Sequence, residues 1–191
     1  GDSSSKATAG SSPDPTFTGA IVTPAPDVSD VSLPVAESGS PFSFVARKDR
    51  LLVTYFGYTA CPDVCPTTLA DLKAAFRKLG APSDQVDVAM ATIDPRRDTA
   101  EIISQYLHGF FPKATALRTD DDTALRAVTD RFGATYEVRY PNNSAPTVEH
   151  SAFLYVTDDT GKVVLEWPFG SKAADMAADM KLLLAGDRPA T

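Results

Sequence analysis

The sequence predicts an α/β domain in which a mixed sheet is covered by helices. Three observations carry this. Apolar runs of strand length, residues 51–56, 85–93 and 152–157, are rich in β-branched and aromatic residues. Helical patterns separate the first strands, the arrangement that makes neighbouring strands parallel. The last two strands are joined only by Asp158-Asp159-Thr160-Gly161, a hairpin turn that makes them antiparallel.

Taken in order, residues 17–35 alternate apolar side chains broken by Pro24, Pro26 and Pro34, which fits short edge strands or a hairpin. Residues 37–41 read as a turn and 42–44 as a short strand. Residues 51–56 form a buried strand closed by Gly57. Leu69, Leu72, Ala75, Phe76 and Leu79 mark a long helix that Gly80-Ala81-Pro82 ends. A second buried strand spans 85–93. Thr99 is the expected N-cap of a helix to about His108, with Glu101 well placed in its first turn. A short strand at 114–117 precedes a helix opened by Asp120-Asp121-Asp122 and ended by Gly133 after Phe132. Residues 135–140 alternate as a strand, turn at 141–144, and return at Thr147-Val148. Strands 152–157 and 162–167 follow, and Ser171 is expected to start a last helix to about Leu184. No internal repeat is present.

Residues 1–16 are Ser, Gly, Ala, Pro and Asp with almost nothing to bury, and read as a disordered tether ahead of a single domain over 17–187. That domain is long enough for a proper core. A tether of this kind fits the spacer of a membrane-anchored exported protein, a residual expression tag being the alternative. Of 191 residues, 25 are acidic and 18 basic, a net charge of −7, which argues against a nucleic-acid partner. No apolar run approaches the ~18–20 residues that cross a bilayer.

The chemistry concentrates where the first buried strand turns into the first long helix. The only two cysteines, Cys61 and Cys65, lie there. Unpaired N–H groups and the helix dipole favour negative charge at such a turn, so a thiol is drawn toward thiolate. The four-residue spacing lets both sulfurs form a disulfide or share one metal ion. A thioredoxin-type redox motif has one residue fewer between its cysteines. A closed zinc site needs four ligands, and the chain has two cysteines and two histidines. Monovalent copper suits a few soft thiolates better. A structural disulfide is the plain alternative, weakened because so short a loop removes little unfolded-state entropy.

His108 reads as a helix-terminal or surface residue. His150 falls in a turn before a buried strand, from which it could reach the cysteines as a third ligand; a hydrogen-bonded structural role is equally compatible. Asp63, between the cysteines, could orient the site. Asp94 and Asp98 flank Pro95-Arg96-Arg97 at the end of the neighbouring strand, as acid–base groups or as salt-bridging and capping residues. Met90, Met176 and Met180 show no clustered spacing.

Three segments resemble the Sco/SenC family of copper-handling proteins of cytochrome c oxidase assembly. They are residues 56–66 (FGYTACPDVCP), 93–99 (IDPRRDT) and 148–152 (VEHSA), in the family's order. Glu149 stands where the family commonly has Asp. The resemblance covers roughly residues 17–184. It implies a thioredoxin-like fold with an added N-terminal β-hairpin and an inserted hairpin before His150, with Glu149-His150 where thioredoxins keep a cis-proline. It further implies that Cys61, Cys65 and His150 bind copper, with Asp63, Asp94 and Asp98 in support. The implied task is delivery of copper to the dinuclear copper domain of cytochrome c oxidase subunit II, with another copper chaperone as a possible donor. The implied location is extracytoplasmic, tethered to the outer face of the cytoplasmic membrane. A thiol–disulfide oxidoreductase using Cys61 and Cys65 is the alternative; a peroxidase lacks its supporting motifs. The copper is expected in a shallow surface site ringed by Tyr58, Pro62, Pro66 and the 142–146 turn.

Overall fold

A five-stranded sheet organises the chain, its strands lying side by side in the order 115–117, 86–92, 51–57, 153–157 and 163–168. It is seen in a computed structural model that describes residues 16–142 and 145–190. The expected tether over 1–16 lies outside the described residues except for Thr16. Strands β3 (Leu51–Gly57), β4 (Val86–Thr92) and β5 (Thr115–Leu117) are parallel. Strands β8 (Phe153–Thr157) and β9 (Val163–Pro168) run antiparallel on the other side of β3. The sheet is therefore mixed, as predicted.

Central β3 is buried at all seven positions because both its faces are covered. Leu51, Val53 and Tyr55 pack under α1 (Val64–Leu79), α2 (Ala100–Phe110) and α4 (Ala173–Leu184). Leu52 and Phe56 face a second core filled by α3 (Asp122–Phe132) and by Val28, Leu33 and Phe44 of the N-terminal segment. Thr99 caps α2 by accepting from the Ile102 N–H, and Gly133 closes α3 in the left-handed conformation, both as expected.

The N-terminal hairpin forms later than its alternation suggests. Only β1 (Ser32–Pro34) and β2 (Pro41–Ser43) pair as strands. Ahead of them residues 20 and 27 touch β9 and Lys162 through single bridges. Pro24 and Pro26 lack the N–H groups a continuous ladder needs. A short 3-10 helix (Ala81–Gln85), with Pro82 in its first turn, leads into β4. Ser171 does not cap the last helix: its hydroxyl donates to the Pro168 carbonyl, and α4 begins at Ala173.

Strands β6 (Tyr136–Arg139) and β7 (Thr147–His150) form a separate antiparallel ribbon outside the main sheet, the inserted hairpin that was expected. His150 is not in the turn anticipated for it. It ends β7, opposite Tyr136.

Candidate metal centre

The centre is built at the carboxyl end of β3, where open α/β sheets place their sites. The chain leaves β3 at Gly57, crosses Cys61 and enters α1 at Val64, so Cys65 lies in the first helical turn. Asp63 is the N-cap residue, yet its side chain makes no capping bond. The Cys61 sulfur does that work, accepting from the Cys65 N–H at 3.3 Å. Gly57 keeps room for the second sulfur: a Cβ there would lie 2.6 Å from Tyr55 Cε1 and 3.1 Å from Cys65 Sγ.

Both cysteines are free thiols, but their surroundings differ. Burial alone would push the Cys61 thiol up. The Cys65 N–H, the Cys65 side chain, the Asp63 N–H and the Tyr58 hydroxyl together outweigh it and hold Cys61 below the ordinary thiol value. Cys65 has no exposed surface, and burial pushes its thiol up to about 12, although the Tyr55 hydroxyl donates to its sulfur at 3.4 Å. Cys61 is thus the more acidic thiol of the pair and Cys65 the one that holds its proton more tightly. Burial likewise raises Tyr58 to about 12, with the neighbouring Cys61 adding to it, so its hydroxyl remains a donor.

His150 arrives from the ribbon, 85 residues along the chain from Cys65, with Nε2 at 3.9 Å from the Cys65 sulfur. Its Nδ1 faces the Ser151 carbonyl at 3.1 Å, an acceptor, so Nδ1 carries the proton and Nε2 turns its lone pair toward the sulfur. Burial holds the imidazole below its usual pKa, against the opposing hydrogen bond to Ser151. Tyr58 and Tyr55 hold the ring edge-on, with centroids 5.8 Å and 6.4 Å away. An ion about 2.3 Å from sulfur and about 2.0 Å from nitrogen, as for zinc, separates the two donors by roughly 3.7 Å. The observed 3.9 Å fits one ion between them. Among the described residues no three His, Cys, Asp or Glu side chains are already closed round a single point. The donors meet in pairs, so closing all three on one ion takes a side-chain adjustment.

The other predicted residues divide. Asp63 is exposed and its carboxylate accepts from the Thr67 hydroxyl, so its side chain does not orient the sulfurs; its backbone N–H does. Asp94 and Asp98 are each 1% exposed and carry no free acid–base function. Asp98 accepts from the Thr59 N–H at 3.1 Å, from the Thr59 hydroxyl, and from the Thr92 hydroxyl at 2.6 Å. Asp94 pairs with Arg97 and accepts from the Tyr140 hydroxyl. His108 stays away from the centre, its Nε2 at 3.0 Å from the Ala114 carbonyl. The rim of the depression is Tyr58, Pro62, Asp63 and Val64 facing Val148, Glu149 and Ala152. Pro66 and the described residues of the 142–146 turn do not line it, and residues 143–144 lie outside the described residues. Sequence reasoning misses Tyr55 and Tyr140; Tyr55 reads there only as part of a buried run.

A family model described as SCO1/SenC matches residues 34–185. The SCO2-like protein of Rickettsia typhi is 33% identical over 134 residues, covering 68% of this chain and 64% of that protein. Among solved structures, apo Sco1 from Thermus thermophilus aligns with a TM-score of 0.75 and 32% identity, over 88% of this chain and 97% of that one. Bradyrhizobium japonicum ScoI with copper bound aligns with a TM-score of 0.67 and 27% identity, over 79% and 95%. The fold is therefore the thioredoxin-like one expected, and the chain belongs to the SCO1/SenC family.

Proposed function

We propose that this protein is a copper chaperone that takes up one copper ion as cargo through Cys61, Cys65 and His150. The observation that carries the proposal is the approach of His150 Nε2 to the Cys65 sulfur from a separate ribbon, with its lone pair aimed inward. Two thiolates and an imidazole form a soft set suited to monovalent copper. Ion binding displaces the Cys65 proton despite its raised pKa, so uptake releases protons. The proposed acceptor is the dinuclear copper domain of cytochrome c oxidase subunit II, with a second copper chaperone as donor. The proposed setting is extracytoplasmic, with a domain over residues 17–187 held to the membrane by a tether and anchor. No helix among the described residues is long and apolar enough to cross a membrane.

A second reading has its own support. The split between a low-pKa Cys61 and a high-pKa Cys65 is what a thiol–disulfide reductase needs, one sulfur attacking a partner's disulfide and the other resolving the mixed disulfide. Transfer separates the two. Copper-loaded protein mixed with the apo subunit II domain is expected to give the acceptor's thiolate–copper absorption. No transfer over hours, together with a Cys65→Ser variant trapped covalently through Cys61, would favour the reductase.

A further inference from the structure

We infer that the 94–98 loop is a strut that sets the position of the His150 ribbon against the cysteine turn, acting through Tyr140 as a positioning residue. The consequence for affinity rests on the copper reading above; the positioning itself does not.

The ribbon has no strand partner in the five-stranded sheet, so no backbone ladder fixes where it sits. Tyr136, Val138 and Val148 rest on the second core, and two tyrosines on one side of the strand and its extension, four residues apart, add directed fastenings. Tyr136 donates to Asp122 at 2.6 Å, and Arg126 covers its ring at 4.4 Å. Tyr140 donates to Asp94, and Arg96 covers its ring at 4.3 Å. The two fastenings look alike but hold different things. Asp122 belongs to α3, against the second core. Asp94 belongs to the loop whose other end, Asp98, grips both the N–H and the hydroxyl of Thr59, two residues before Cys61. One short loop thus holds the cysteine turn at one end and the histidine ribbon at the other.

The strut is stiff for an electrostatic reason. A carboxylate buried as deeply as Asp94 and Asp98 is costly unless its acceptor sites are filled, so the Tyr140 and Thr59 bonds are strongly preferred. A branch runs through Arg97: it pairs with Asp94, lies 5.8 Å from the Tyr58 ring, and Tyr58 packs edge-on against His150.

The test compares wild type, Tyr140→Phe, His150→Ala and the double variant for monovalent copper affinity under a competing chelator. Tyr140→Phe is expected to weaken binding about tenfold, the effect of losing a partner that orients a ligand. In the His150→Ala background the same substitution is expected to have no further effect. Equal losses in both backgrounds would overturn the strut, since Tyr140 would then act on the fold at large. A second readout needs no metal. In the metal-free protein, Tyr140→Phe should shift or broaden the His150 ring signals in NMR while leaving the Cys61 alkylation rate unchanged. Unaltered ring signals would overturn the inference. If His150→Ala binds copper as tightly as wild type, the three-ligand reading fails, and the ring signals alone decide the strut.

Discussion

Cys65 is wholly buried at the start of a helix packed against α4 and one face of the central sheet, whereas His150 is half-buried at the end of a two-stranded ribbon outside that sheet. The cysteines share the stability of the core. The histidine sits at the end of a ribbon that, among the described residues, meets the second core only through Tyr136, Val138 and Val148 and is fastened by tyrosine hydroxyls. Stability is distributed unevenly in any fold, and elements with few buried apolar contacts open first. On the proposed copper reading, a carrier that must both hold and release an ion would gain from this division, with two ligands on the core and the third on the ribbon.

The largest expected effect breaks the cysteine half. Leu69 is fully buried one turn beyond Cys65, so Leu69→Ala should cost about 3 kcal/mol in urea unfolding. Val148→Ala in the half-buried ribbon should cost less than about 1 kcal/mol. Similar costs at the two positions would mean that the ribbon belongs to the same cooperative core.

The next test sharpens the difference between the two sulfurs. A thiol held below its ordinary pKa is ionised, and so nucleophilic, at a lower pH than a free cysteine. A thiol held above it stays protonated until higher pH. Iodoacetamide should therefore alkylate Cys61 with a midpoint at lower pH than that of a free cysteine. Cys65 should remain unmodified in the native protein to about pH 10, well under its value of about 12. Mass spectrometry reads both, and equal rates would remove the asymmetry. In stability, Cys65 protects the fold below the ordinary thiol range, and that contribution is lost as pH rises toward about 12.

The smallest effect concerns the ribbon surface. Arg139 and Glu137 form an exposed ion pair at 2.8 Å, so Arg139→Ala should change the melting free energy by less than about 0.5 kcal/mol. A larger loss would place more of the ribbon's hold in its surface charges than the fastenings at Tyr136 and Tyr140 allow.

What the sequence revealed follows the same divide. The run at 51–56, Gly57 and the pattern from Leu69 to Leu79 are local signals, and they place the cysteine turn correctly because one strand and one helix suffice to build it. The capping of α2 by Thr99 and the close of α3 at Gly133 are local too. The ribbon's docking is not local. Nothing around His150 states that its ring nitrogen comes within 3.9 Å of a sulfur 85 residues away, and in sequence its position at a strand end reads as a turn. Its place before a buried strand makes His150 a candidate third ligand with a structural role equally compatible, and the family resemblance favours the first. Tyr140 carried no signal of its own, since its partner Asp94 lies 46 residues earlier. Asp63 misled for the opposite reason: adjacent to both cysteines in sequence, it turns its carboxylate to Thr67.

The central claim is that one ion gathers two sulfurs from the rigid half and one nitrogen from the suspended half. X-ray absorption at the copper edge tests it most directly, on protein loaded with one equivalent of monovalent copper. The expected spectrum has two sulfurs and one imidazole nitrogen in wild type, and loses the nitrogen in His150→Ala while keeping both sulfurs. Identical spectra for the two proteins would contradict the account.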